Sequence, residues 1–233
     1  MSARPARAGG MTAVPREVVA RWRVWLCDLD GTLLDSFPAH EAAFRQAIAE
    51  VAPSRLAGFR YADHAGASTA AVAAGLTADQ AAADRLARRK QELYREFVRA
   101  GRVRPFPGAR LLLDRLAATG RTAYLVTGGS RASVRRALEA AGLGGAFRDV
   151  LTADDVPVSK PDPAFYRLAC RRWRVDPAEA VALEDSPHGV AAALGAGLAT
   201  LHVHAAEPAP GAIAAGDLHD VVSLLAEEEN GSA

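Results

Sequence analysis

A short apolar run that stops abruptly at two carboxylates constrains this chain more than any other feature. The run Trp22-Arg23-Val24-Trp25-Leu26-Cys27 passes straight into Asp28-Leu29-Asp30-Gly31-Thr32. Aromatic and β-branched residues in so short a run predict a buried strand. In a parallel sheet, ligands gather beyond the carboxyl ends of strands. Asp28 and Asp30 therefore stand where such a sheet does its chemistry. Strand side chains alternate between faces, so both carboxylates face one site if strand geometry persists to Asp30. Two anions that close repel unless a cation or a shared proton compensates. That requirement points to a hard divalent metal, Mg²⁺ foremost.

The rest of the chain supplies the sheet. After Pro105-Phe106-Pro107-Gly108, helical and strand patterns alternate. Helices are expected over 109–119, 130–141, 161–173, 187–196 and 218–226, with strands over 122–126, 149–152, 180–183 and 199–203. That alternation predicts βαβ units and a parallel sheet. Residues 37–104, by contrast, carry apolar residues at helical spacing only. The expected fold is thus an α/β core, residues 21–36 and 105–233, interrupted by a helical domain, residues 37–104. The borders of the insert near Ser36 and Pro105 are natural hinges. Residues 1–20, rich in Ala, Arg, Gly and Pro, read as a flexible N-terminal extension without the apolar centre of a secretory signal.

Composition narrows the function classes. Half of the 233 residues are hydrophobic, enough for a sizeable core. With 28 basic against 27 acidic residues, the net charge is +1, which gives no electrostatic case for nucleic acid or a membrane surface as partner. No apolar run approaches the roughly 20 residues that span a bilayer. The two cysteines, Cys27 and Cys170, give no disulfide framework, and a cytoplasmic location is expected.

Each predicted core strand ends in a polar cluster. The first ends at Asp28 and Asp30, the second at Thr127-Gly128-Gly129-Ser130. The third leads to Ser159-Lys160-Pro161, and the fourth ends at Glu184-Asp185-Ser186. Taken singly, each has an ordinary structural reading: a solvated acid pair, a turn, a surface lysine, a helix N-cap. Taken together, on one edge of one sheet, they make a single site with one chemistry. Asp28 is a candidate nucleophile toward phosphorus. Asp30 is placed to give a proton to the leaving oxygen and take one from water. Thr127, with the amides of Gly128 and Gly129, can hold phosphate oxygens. Lys160 can neutralise phosphate and Asp28, while Glu184 and Asp185 complete a metal shell.

These four motifs resemble those of the haloacid dehalogenase superfamily, over residues 22–203. Asp28-Leu29-Asp30-Gly31-Thr32-Leu33-Leu34-Asp35-Ser36 is similar to its first motif and Thr127 to its second. Ser159-Lys160-Pro161-Asp162-Pro163 is similar to the third, and Leu183-Glu184-Asp185-Ser186-Pro187-His188-Gly189 to the fourth. The resemblance, to the phosphoglycolate-phosphatase-like and β-phosphoglucomutase-like subgroup, implies a Rossmann-like core, a helical cap and Mg²⁺. It implies Asp28 as nucleophile and Asp30 as acid/base with its backbone carbonyl on the metal. The metal set is then Asp28, Asp30, Glu184 and Asp185.

An acid/base carboxylate at Asp30 argues against dehalogenation. His40 and Lys90 fall where mutases of the family carry a cap histidine and lysine, but Thr69 stands where their substrate-phosphate arginine is expected. Gly128 also departs from the Asn or Ser that many phosphatases have there. His40, Thr69 and Lys90 are the cap candidates for substrate contact. The expectation is a Mg²⁺-dependent phosphatase acting on a small phosphate monoester, and a monomer, with a dimer as the alternative. A sugar-phosphate mutase and a catalytically silent binding protein remain as alternatives. His64, His188, His202 and His204 read as structural, and Arg131, Arg135 and Arg136 as a solvated helix face.

Overall fold

The computed structural model describes residues 14–205 and 207–229. Its centre is β1 (Val24–Cys27), flanked by β4 (Thr122–Val126) on one side and β6 (Ala180–Glu184) on the other. Beyond β4 lies β5 (Val150–Leu151); beyond β6 lie β7 (Ala199–Val203) and β8 (Ile213–Ala215). All five neighbour pairs are parallel, in the order β5-β4-β1-β6-β7-β8. Strand order reverses beside β1, and that is where an open parallel sheet opens a crevice.

The two faces of the sheet follow the alternation of the strands. Trp25, Cys27, Leu125 and Leu183 point to one core, with α5 (Ala109–Ala118), α6 (Arg131–Ala141) and α9 (Leu218–Glu229). Leu26, Tyr124, Val126 and Ala182 point to the other, with α7 (Ala164–Trp173) and α8 (Pro187–Gly195). Both faces being covered explains why these strands read as continuous apolar runs.

The insert comprises α2 (Phe37–Val51), α3 (Thr69–Leu76) and α4 (Gln80–Arg99), with 3₁₀ turns at Pro53–Arg55 and Tyr61–His64. Pro38 in the first turn favours the start of α2. The side chains of Ser68 and Asp79 cap α3 and α4 by accepting from Ala71 and Ala81 amides. The chain enters and leaves the insert through an antiparallel pair, β2 (Leu34–Asp35) and β3 (Arg104–Pro105). The two crossings at the expected hinges are thus tied side by side, a pairing too short to be read from sequence.

Three expectations need correction. The extension expected over 1–20 falls outside the described residues for 1–13, but Arg16–Arg21 forms a helix, α1. Val19 on that helix is 1% exposed and packs into the core, as does Trp22 just beyond it. A six-residue stretch has too few periodic positions to betray that burial. The terminal helix, expected over 218–226, runs on to Glu229. A sixth core strand, β8, went unanticipated because its three residues sit in a Pro- and Gly-rich stretch.

Candidate functional site

β1 ends at Cys27, level with Leu125 and Leu183. Asp28 follows at the carboxyl edge, its amide donating to Leu183 O at 2.9 Å. The strand does not persist to Asp30: the chain turns through Gly31, which has φ +90°. A Cβ on Gly31 would collide with the Asp185 carboxylate, so glycine is required both by the turn and by the close approach. Asp28 and Asp30 do line one cavity, by way of this turn rather than by strand alternation.

Lys160 is 1% exposed. Its Nζ donates to Asp28 Oδ1 at 2.7 Å, to Glu184 Oε1 at 2.5 Å and to Val126 O at 3.1 Å. Burial would lower its pKa, but the two carboxylates more than reverse that and hold it charged. Tyr166 OH also donates to Glu184 Oε1, at 2.5 Å. The other oxygen, Oε2, is buried with no hydrogen-bond partner among the described residues. One carboxylate oxygen from each of Asp28, Glu184 and Asp185 falls within 4.8 Å of the others. Burial and the neighbouring Glu184 raise Asp185 to about 7. Asp28 is also raised, by burial first, with Lys160 opposing and Glu184 and Asp185 adding. An orphaned oxygen and two anions held back from ionising are what a divalent cation would relieve, and an all-carboxylate donor set suits a hard one. The residues fit a metal.

Asp30 stands apart from that cluster. Its Oδ1 accepts from Tyr94 OH at 2.9 Å and lies 3.0 Å from His40 Nε2. Burial alone would raise its pKa, but His40 and the hydrogen bonds of His40, Ser36 and Tyr94 outweigh it and hold it low. The side chain is therefore committed to the cap. Of the four expected metal residues, Asp28, Glu184 and Asp185 bring carboxylates together; Asp30 was expected to contribute its backbone carbonyl, which leaves its carboxylate to the cap. His40 Nδ1 lies 2.7 Å from Lys90 Nζ, which also donates to Thr69 Oγ1 at 3.2 Å. Burial pushes Lys90 down to about 7; burial and Lys90 press His40 down in turn. His40 stacks on Tyr94 with centroids 4.0 Å apart.

The phosphate-side residues gather where expected. Thr127, Gly128 and Gly129 line the cavity opposite His40, Thr69 and Lys90. Gly129 N–H already donates to Thr127 Oγ1, at 3.1 Å. The loop of the insert passes so close that a Cβ on Gly128 would sit 3.0 Å from Gly66 O. The unusual glycine at this position makes room for that loop. Further bonds close the insert onto the core: Ser68 N–H to Ser159 Oγ and His188 Nδ1 with Ala65 O, both 2.9 Å. The cavity measures about 40 Å³, room for roughly three waters.

Sequence reasoning missed several members. Thr32 Oγ1 donates to Asp185 Oδ1 at 2.7 Å. His202 accepts from Ala209 N–H at Nδ1, so its Nε2 carries the proton and donates to Asp185 O at 2.9 Å. His202 is structural, and what it holds is the backbone of Asp185. His204 Nε2 lies 3.0 Å from Thr32 O, and the ring stacks on Phe106. Tyr94 lies four residues after Lys90, on the same helix face; that spacing was the one available signal for it. His64 stacks on Phe59 and lies away from the cavity. Arg131 is less free than a solvated face implies, being ion-paired with Asp155.

The haloacid dehalogenase-like hydrolase family matches residues 22–197. The chain belongs to that family. Hexitol phosphatase A of Escherichia coli (strain K12) is 33% identical over 192 residues, 82% of this chain and 87% of that protein. Fructose-1-phosphate phosphatase YqaB of the same strain is 33% identical over 193 residues, 78% and 97% of the two chains. A crystal structure of β-phosphoglucomutase from Clostridium difficile superposes with a TM-score of 0.76 over 90% of this chain and 98% of the other, at 18% identity. That likeness speaks to the fold alone.

Proposed function

We propose that this protein is a Mg²⁺-dependent phosphatase that hydrolyses a small-molecule phosphate monoester through an aspartyl-phosphate on Asp28. The observation that carries the reading is the convergence on one cavity of a buried Asp28 bound by Lys160, the Thr127–Gly129 turn and Asp30. The names of the relatives, both phosphatases of small phosphate esters, support it.

Asp28, Glu184 and Asp185 would hold the cation, with the Asp30 carbonyl as a further ligand, and the cation would offset the charge of phosphate and carboxylates. Thr127 and the glycine turn bind the transferring oxygens. An Asp28 oxygen attacks phosphorus as the bond to the leaving oxygen breaks, and Asp30 gives that oxygen its proton. Asp30 then takes a proton from water as the water attacks phosphorus, which frees Asp28 and releases inorganic phosphate. Bound to Tyr94 and beside His40, Asp30 is held ionised, the state the second half needs. For the first half it turns from these donors toward the leaving oxygen, carrying the proton that it took from water in the preceding turnover. Residues 37–104 act as the cap, opening for entry and closing to exclude water.

A mutase must hold a second phosphate opposite the first. Here the Thr69 hydroxyl already accepts from Lys90, which favours hydrolysis. The balanced charge and two buried free cysteines support a cytoplasmic enzyme acting as a monomer on a free metabolite. Asp28→Asn should abolish Mg²⁺-dependent release of phosphate from an aryl phosphate while leaving the fold intact by circular dichroism. Turnover retained by this variant contradicts the nucleophile assignment.

A further inference from the structure

We propose that the cap side of the cavity selects esters of neutral, polyhydroxylated alcohols and rejects those whose alcohol carries a carboxylate or second phosphate. This rests on the phosphatase reading and adds to it the class of leaving alcohol. With phosphate held between Asp28 and Thr127, the alcohol extends past Asp30 toward the cap, because Asp30 must reach the leaving oxygen. The polar groups lining the cavity are Thr69 and Gln91 from the cap, with Lys90 behind them, and Ser130 and Ser133 from the start of α6. These are hydroxyls and an amide, each able to give and accept a hydrogen bond.

Among the described residues no arginine lines this cavity, and Lys90 is its one ammonium. Lys90 is already engaged. It is 3% exposed, bonds to His40 and Thr69, and rests 4.5 Å above the Phe44 ring. Burial pushes it to about 7, so near neutrality its charge is only partly present. Ser130 Oγ donates to Ser133 Oγ at 3.0 Å, a pair that a ligand hydroxyl can join or replace. An anionic substituent would enter with no uncommitted cation to meet it. A buried charge without a partner is strongly disfavoured, whereas a site that hydrogen-bonds hydroxyls discriminates sharply against analogues lacking them.

The test compares kcat/KM of the Mg²⁺-loaded, full-length enzyme for sorbitol phosphate, phosphoglycolate and p-nitrophenyl phosphate. Sorbitol phosphate should exceed phosphoglycolate by about 100-fold. Gln91→Arg, at a half-buried position, supplies the missing cation and should narrow that ratio about tenfold. Lys90→Met should lower both rates and leave their ratio unchanged, since its ammonium is not the anion's receptor. A ratio within one enzyme is insensitive to partial loss of folded protein, and Gln91→Arg carries the test if Lys90→Met fails to fold. Equal or better turnover of phosphoglycolate, or a selective tenfold loss on it in Lys90→Met, overturns the inference. Hydrolysis of p-nitrophenyl phosphate with no preference between the other two overturns the inference and leaves the phosphatase reading standing. No hydrolysis of any ester overturns both.

Discussion

Replacing Lys160 by Met keeps much of the side-chain volume and deletes the ammonium that separates Asp28 from Glu184. Lys160, Glu184 and Asp28 are 1%, 0% and 5% exposed, so water cannot take over. Two charge-assisted hydrogen bonds and one to Val126 O are lost. Bonds to charged groups contribute about 1.5–3 kcal/mol each, and deleting one partner of a buried ion pair costs about 3–5 kcal/mol. We therefore expect Lys160→Met to lose about 4 kcal/mol, a large share of the ~5–15 kcal/mol that holds a domain folded. In thermal melts this is a fall on the order of 10 °C for a chain of this size. The sign of the pH dependence follows from Asp28. Its folded pKa is already raised by burial, and Lys160 is the main influence opposing that rise. Without Lys160 the folded state holds the Asp28 proton more tightly than the unfolded chain does. The deficit is therefore smaller in acid and grows as pH rises past the usual carboxylate range. Urea titrations in EDTA at pH 5 and pH 8 read both effects. A variant within about 1 kcal/mol of the parent at pH 8, or equally destabilised at both pH values, refutes the reasoning.

Further outcomes follow from the same geometry. In EDTA the parent should lose stability as pH rises through about 7, because folded Asp185 holds its proton up to there. The Tm gain on adding Mg²⁺ should accordingly be larger at pH 8 than at pH 5, as the metal must displace that proton. Gly31→Ala places a methyl group against Asp185 at φ +90°; the Mg²⁺ concentration for half-maximal activity should rise at least about tenfold, since 1.4 kcal/mol of displacement suffices. His202→Phe strips a donor from Asp185 O and an acceptor from Ala209 N–H. It should cost about 1–3 kcal/mol in urea melts and weaken Mg²⁺ dependence, with His202→Gln recovering part of both.

Local pattern carried the long elements. Residues 122–126 and 199–203 were expected at the bounds the structure shows for β4 and β7, because a buried apolar run announces itself within a few residues. Asp28, Glu184 and Asp185, which converge in the structure, were equally visible, since they stand at the carboxyl ends of β1 and β6. What escaped depends on partners remote in sequence. Thr32 is 153 residues from Asp185 and Tyr94 is 64 residues from Asp30; nothing beside either residue marks it as other than an ordinary hydroxyl or core aromatic. Tyr166 stands mid-helix in α7, and only the packing of β6 brings Glu184 to its hydroxyl. The β2–β3 pairing has two residues per strand, below any periodic signal. Asp30 was read from strand alternation, but the turn at Gly31 decides its direction and hands its carboxylate to the cap.

Trapping the covalent intermediate tests the assignment of Asp28 most directly. The enzyme, loaded with Mg²⁺ and mixed with a phosphorus-labelled ester it turns over, is quenched in acid within a single turnover and digested. The label should appear on the peptide containing Asp28, should decay at the rate of phosphate release, and should be absent from Asp28→Asn. Label-free protein during rapid turnover, or label on any other residue, contradicts the account.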